Sequence, residues 1–110
     1  MNKITLLGNV GKSPVIKEFN GEKIAEFSIA DNQGDKSTIW WNCVVWGKRA
    51  EVIEKYVTGG SQLYVEGKIT QRPYTDKNGI ERMWQEVRVT DFQLLGKKGE
   101  GSANADDLPE

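Results

Sequence analysis

Three of the four tryptophans lie within seven residues of one another, and strand alternation would separate them. Thr38, Trp40, Asn42, Val44 and Trp46 share one face of an extended run, while Ile39, Trp41, Cys43 and Val45 share the other. The second set is wholly apolar and reads as core or subunit contact. The first mixes two indoles with a hydroxyl and an amide, and both sides of one strand cannot face the same interior. Trp40 and Trp46 are therefore expected on an exposed aromatic surface. Tyr74 follows near the tip of a hairpin. Cations are interleaved with these rings: Lys48 just after Trp46, then Lys68 and Arg72 leading to Tyr74, with Lys77 and Arg82 beyond. Rings that stack on planar bases, alternating with cations that follow phosphates, suit single-stranded nucleic acid. Each stacked base contributes about 1–3 kcal/mol with little regard to its identity.

Other chemistry is poorly supplied. The chain has no His, so it holds no His-based triad, no His general base and no Cys/His metal site. One Cys, Cys43, excludes an intramolecular disulfide and a multi-Cys cluster. It falls in phase with Ile39 and Val45, as a small core residue would. Gly8-Asn9-Val10-Gly11-Lys12-Ser13 has the look of a phosphate loop, but Leu6 stands where the motif requires its first glycine, and Pro14-Val15-Ile16 reads extended where a helix must follow. Glu51 and Glu54 read as a solvated helix face with Lys48 and Lys55 as neighbours. No catalytic set and no cofactor or metal site is expected. No run of apolar residues is long enough to span a bilayer, and the start lacks a signal-peptide core, so a cytoplasmic protein with no membrane partner is expected.

These residues need strands to position them. Lys3–Val10, Lys23–Asp31, Ser37–Trp46, Gln62–Arg72 and Arg82–Leu95 each alternate or carry β-branched and aromatic residues. Asp76-Lys77-Asn78-Gly79 supplies a turn before the last. One helical pattern, Lys48–Val57, buries Ala50, Ile53 and Val57 and stops at Gly59-Gly60. A helix between strands three and four of a five-stranded antiparallel set is the order of the OB-fold, an all-β Greek-key barrel. Residues 1–96 are expected to form that domain.

The net charge of −1 on 110 residues hides a partition. Residues 1–98 carry 15 basic and 12 acidic side chains, a net +3, and residues 99–110 carry four acidic ones and no base. The segment 97–110 has the composition of a short, disordered, acidic tail. Its charge is expected to compete weakly with nucleic acid for the body.

The body resembles the bacterial-type single-stranded DNA-binding protein family from Asn2 to about Gly96. The resemblance rests on Asn2 through Gly11 followed by Pro14, on Thr38-Ile39-Trp40, on Val44-Val45-Trp46-Gly47-Lys48, on Ala50-Glu51-Val52, on Gly60 through Gly67, and on Tyr74-Thr75-Asp76. It implies a non-catalytic OB-fold protomer, a homotetramer, that coats single-stranded DNA in replication, recombination and repair. It implies stacking by Trp40, Trp46 and Tyr74 and matches Lys48 and Arg72 to basic positions of the binding groove. Lys3 and Lys68 are expected to add charge. It also implies that the first strand, with Leu7 on its outer face, pairs protomers. Asp106, Asp107, Leu108 and Pro109 match the family's partner-recruiting tip, with Glu110 where the family ends in an aromatic, so weakened docking of replication and repair proteins is expected. The loop Asn32–Asp35 lacks the family's stacking Trp, and Trp41 and Trp84 replace smaller or polar residues, with no role assigned to either. Two alternatives stay open on the residues alone: an adaptor whose aromatics face a partner protein, as in a primosome, and a binder of single-stranded RNA.

Overall fold

The computed structural model describes residues 1–34 and 36–97. The elements run β1 (Ile4–Val10), β2 (Val15–Phe19), β3 (Glu22–Asn32), β4 (Thr38–Trp46), α1 (Lys48–Tyr56), β5 (Ser61–Thr75) and β6 (Glu81–Lys97). The all-β class and the order anticipated for an OB-fold hold, with one strand added. Val15–Phe19 folds back on β3 through Asn20-Gly21, whose φ angles of 54° and 80° are both positive. An Asn-Gly pair adopts that two-residue hairpin turn readily. The added strand places the helix between β4 and β5 in this numbering.

The sheet runs β1-β5-β6-β4-β3-β2, and a further pairing of β1 with β3 closes it. Both seams of the barrel are short. β1 meets β3 only at Asn9↔Ala30 and Val10↔Ile29. β4 meets β6, in parallel, only at Cys43↔Val87 and Val44↔Arg88. Gly8 permits the first seam, since a β-carbon there would collide with the Ala30 carbonyl oxygen.

The alternating inward residues meet as expected. Leu6, Val10, Ala25, Phe27, Ile29, Cys43, Val45, Leu63, Val65 and Val87 fill the barrel. Helix α1 closes one end with Ala50 and Ile53, and Val57 is buried beside them although its backbone has already turned extended. The buried Ser61 is satisfied, its hydroxyl accepting from the Thr58 amide at 3.0 Å. The last two strands outrun their sequence pattern at both ends, and β5 and β6 extend together past the barrel as a long arm. Among the described residues no helix is long and apolar enough to cross a membrane. The acidic segment lies outside the described residues from position 98 onward.

Candidate functional site

The side of β4 that turns away from the core builds a groove. Trp40 is 56% exposed and Trp46 38%, while Cys43 and Val45 behind them are buried. Strand registers continue that face sideways. Ser28, Glu26 and Ile24 of β3 stand opposite Asn42, Val44 and Trp46. On the other side Arg88 lies beside Val44, and alternation adds Glu86 and Trp84 of β6. Across the arm, Lys68, Thr70, Arg72 and Tyr74 of β5 face Arg88, Glu86, Trp84 and Arg82.

Three adjoining hollows mark the groove. The largest, about 510 Å³, runs from Gly11 and Lys12 past Trp40 and Asn42 to Arg72 and Trp84, a volume within the usual range for ligand sites. A second lies between Trp46, Arg72, Trp84 and Arg88. A third lies between Trp40, Met83 and Trp84. Trp84 lines all three, sharing two of them with Trp40 and the other with Trp46.

Aromatic and cationic side chains are already associated here. The Arg88 guanidinium lies 5.7 Å from the Trp46 ring centre, and that of Arg72 lies 6.0 Å from Trp84. Both distances are within cation–π reach. Tyr74, 38% exposed, meets Trp84 edge-on with ring centres 6.3 Å apart. Gly11 gives Trp40 its seat, because a β-carbon at that position would approach the indole to 2.8 Å. Two carboxylates share the groove. Glu26 is paired with Lys17 at 3.1 Å, and Glu86 accepts from Trp84 Nε1 at 2.8 Å.

The residues singled out from sequence divide in two. Trp40, Trp46 and Arg72 line the groove, and Tyr74 reaches it through Trp84. Lys48, Lys68 and Lys3 do not line it. Lys68 is exposed on the same sheet face, beside Arg88 in the register. Lys48 opens α1, two residues past Trp46, and is exposed. Lys3 precedes β1 and pairs with Glu66 of β5 at 3.6 Å. The carboxyl of Glu66 is held below its ordinary range, first by the hydrogen bond from the Tyr64 hydroxyl and then by the Lys3 charge. Asp106, Asp107, Leu108 and Pro109 lie outside the described residues.

Trp84 and Arg88 are groove residues to which the sequence reading gave no function. Their signal was present: Arg82, Trp84, Glu86 and Arg88 fall on one phase of a strand whose other phase carries Val87 and Val89. Trp41 has a different part. It is half-buried against the core, and its Nε1 donates to Asp31 at 3.3 Å.

The single-strand binding protein family matches residues 1–95. The single-stranded DNA-binding protein of Bacteroides thetaiotaomicron is 37% identical over 110 residues, covering 90% of this chain and 68% of the relative. Single-stranded DNA-binding protein 1 of Chlorobaculum tepidum is 33% identical, with 96% of this chain and 72% of the relative covered. The Neisseria meningitidis single-stranded DNA-binding protein is also 33% identical, with 96% of this chain and 66% of the relative covered. An OB barrel with an exposed aromatic groove, matched by the family over residues 1–95 and similar to these relatives, places the chain in the single-strand binding protein family.

Proposed function

We propose that the β4–β6–β5 groove binds single-stranded DNA without catalysis, by stacking bases on Trp40, Trp46 and Tyr74 and holding phosphates with cations. The observation that carries this is the continuity of exposed indoles along one groove, with Arg72 and Arg88 beside them. Duplex DNA hides its base faces in its own stack, so the groove favours single strands and reads sequence weakly. Lys48, Lys68 and Lys3 lie on the outer surface and would follow the phosphates as the strand leaves the groove. Removing either β4 indole tests the reading. Trp40→Ala and Trp46→Ala should each weaken binding to oligo-dT by about 1–3 kcal/mol in a fluorescence titration. Unchanged affinity in both would overturn it.

The wider role is protection of single strands in replication, recombination and repair, in the cytoplasm. Assembly as a homotetramer draws on β1, whose Leu7 is 58% exposed on the outer face and would be covered by a second copy. Recruitment of replication and repair proteins falls to Asp106, Asp107, Leu108 and Pro109, and rests on the sequence of that segment alone.

A further inference from the structure

We propose that Trp84 and Glu86 form a base-reading subsite inside the groove, which stacks one nucleobase and accepts a hydrogen bond from its exocyclic amine. The inference rests on the single-stranded DNA reading and adds a chemical preference to it. Trp84 stands two residues from Glu86 on the same face of β6, and its Nε1 holds one carboxylate oxygen, Oε1, at 2.8 Å. The other oxygen, Oε2, has no hydrogen-bond partner among the described residues, and no cation lies within salt-bridge distance of this carboxylate. The contrast with Glu26 is direct, since Glu26 is neutralised by Lys17. Both acids line the same hollows as Arg72 and Trp84.

An unpaired carboxylate in a groove for a polyanion repels phosphate. It attracts an N–H donor. A base laid on Trp84 brings its edge toward the rim of the indole where Glu86 is fixed. Cytosine, adenine and guanine carry an exocyclic amine, whereas thymine carries a carbonyl oxygen in the place of cytosine's. The carboxylate therefore favours amine-bearing bases at this one position, and cytosine against thymine isolates the effect because the rings are the same size. Trp84 itself is the stacking surface, with Arg72 and Tyr74 restricting its tilt.

The test compares the affinities of full-length wild type and Glu86→Gln for (dC) and (dT) oligomers of equal length. Gln keeps an oxygen to accept from Trp84 and loses the charge. The preference for dC relative to dT should fall about fivefold or more in the variant, the lower end expected for a specific base-edge contact. Normalising to wild type cancels the intrinsic difference between the two homopolymers. Equal tightening on both oligomers would make the carboxylate a source of repulsion only and overturn the proposal. Trp84→Phe is the second variant: it keeps a ring for stacking and removes the donor that fixes the carboxylate, so the same preference should fall. An unchanged preference in both variants also overturns the proposal. If wild type binds neither oligomer, the single-stranded DNA reading itself fails, which is a separate result.

Discussion

Trp40 and Trp46 stand on one side of β4, Cys43 and Val45 on the other, and the two sides keep apolar surface for opposite purposes. Behind the strand, Cys43 and Val45 lose almost all contact with water and pack into the apolar core. Burial alone pushes the Cys43 thiol up to about 12, so it stays protonated and inert. In front, large rings remain partly wet and are bordered by Arg72, Arg88 and two carboxylates. The inner side commits its apolar area to folding, and the outer side leaves its rings accessible, as the proposed stacking requires. One strand can do both because its side chains alternate, and because the barrel curves the outer side into a groove instead of leaving a flat patch.

The sharpest way to break this comparison is to injure one side and look for damage on the other. Leu63 is fully buried on β5, away from the groove. Leu63→Ala should lower unfolding free energy by about 2–5 kcal/mol, read from urea denaturation. Affinity of the folded protein for oligo-dT should move by less than about twofold, as expected for distant sites. A large loss of affinity would mean that the groove is not independent of the core. The indole substitutions described above are the converse experiment, with effects on binding that exceed those on stability.

A smaller effect separates groove cations from peripheral ones. Arg72 lines the groove, and Lys3 is paired with Glu66 outside it. With an oligomer just long enough to fill the groove, Arg72→Gln should reduce the slope of log K against log salt by about 0.7. Lys3→Gln should leave that slope unchanged until longer oligomers are used. Equal changes with the short oligomer would place Lys3 on the same phosphate path as Arg72.

Much of this division was legible in the sequence. Period-two alternation separated Trp40 and Trp46 from Cys43 and Val45, although Ile39 on the inward phase is exposed past the end of the core and Val44 on the outward phase is buried. The Ala50, Ile53, Val57 spacing located the helix that plugs the barrel. The strand β2 was missed although Asn20-Gly21 announces its turn, because Val15–Phe19 is short and only weakly alternating. Trp84 and Arg88 escaped for another reason. Their strand joins the groove through two parallel pairs with β4, more than 40 residues earlier in the chain. No local pattern encodes that seam. The ends of β5 and β6 run beyond their sequence pattern because each exposed strand of the arm is stabilised by its partner and not by a buried face.

The arm also supplies the mildest test, since its tip is held by charge where the barrel is held by packing. Asp76 Oδ1 accepts from the amides of Asn78 and Ile80 at 2.9 and 3.0 Å, and Oδ2 accepts from Arg82 Nε at 2.6 Å. The Arg82 hydrogen bond first, and the Ile80 and Asn78 amides after it, hold the Asp76 carboxyl below its ordinary range. A depressed folded-state value means that the contribution is complete above the unfolded-state pKa of about 3.9 and is lost as pH falls through the lower folded value. Amide exchange at Asn78 and Ile80 should therefore stay slow on acidification through the ordinary carboxylate range and speed up only below it. Val65 and Val87, inside the barrel, should not follow. Asp76→Asn keeps one acceptor and removes the charge, so it should flatten the response. Loosening at the ordinary carboxylate pH, or in step with Val65 and Val87, would show that the tip has no electrostatic lock of its own and melts with the barrel.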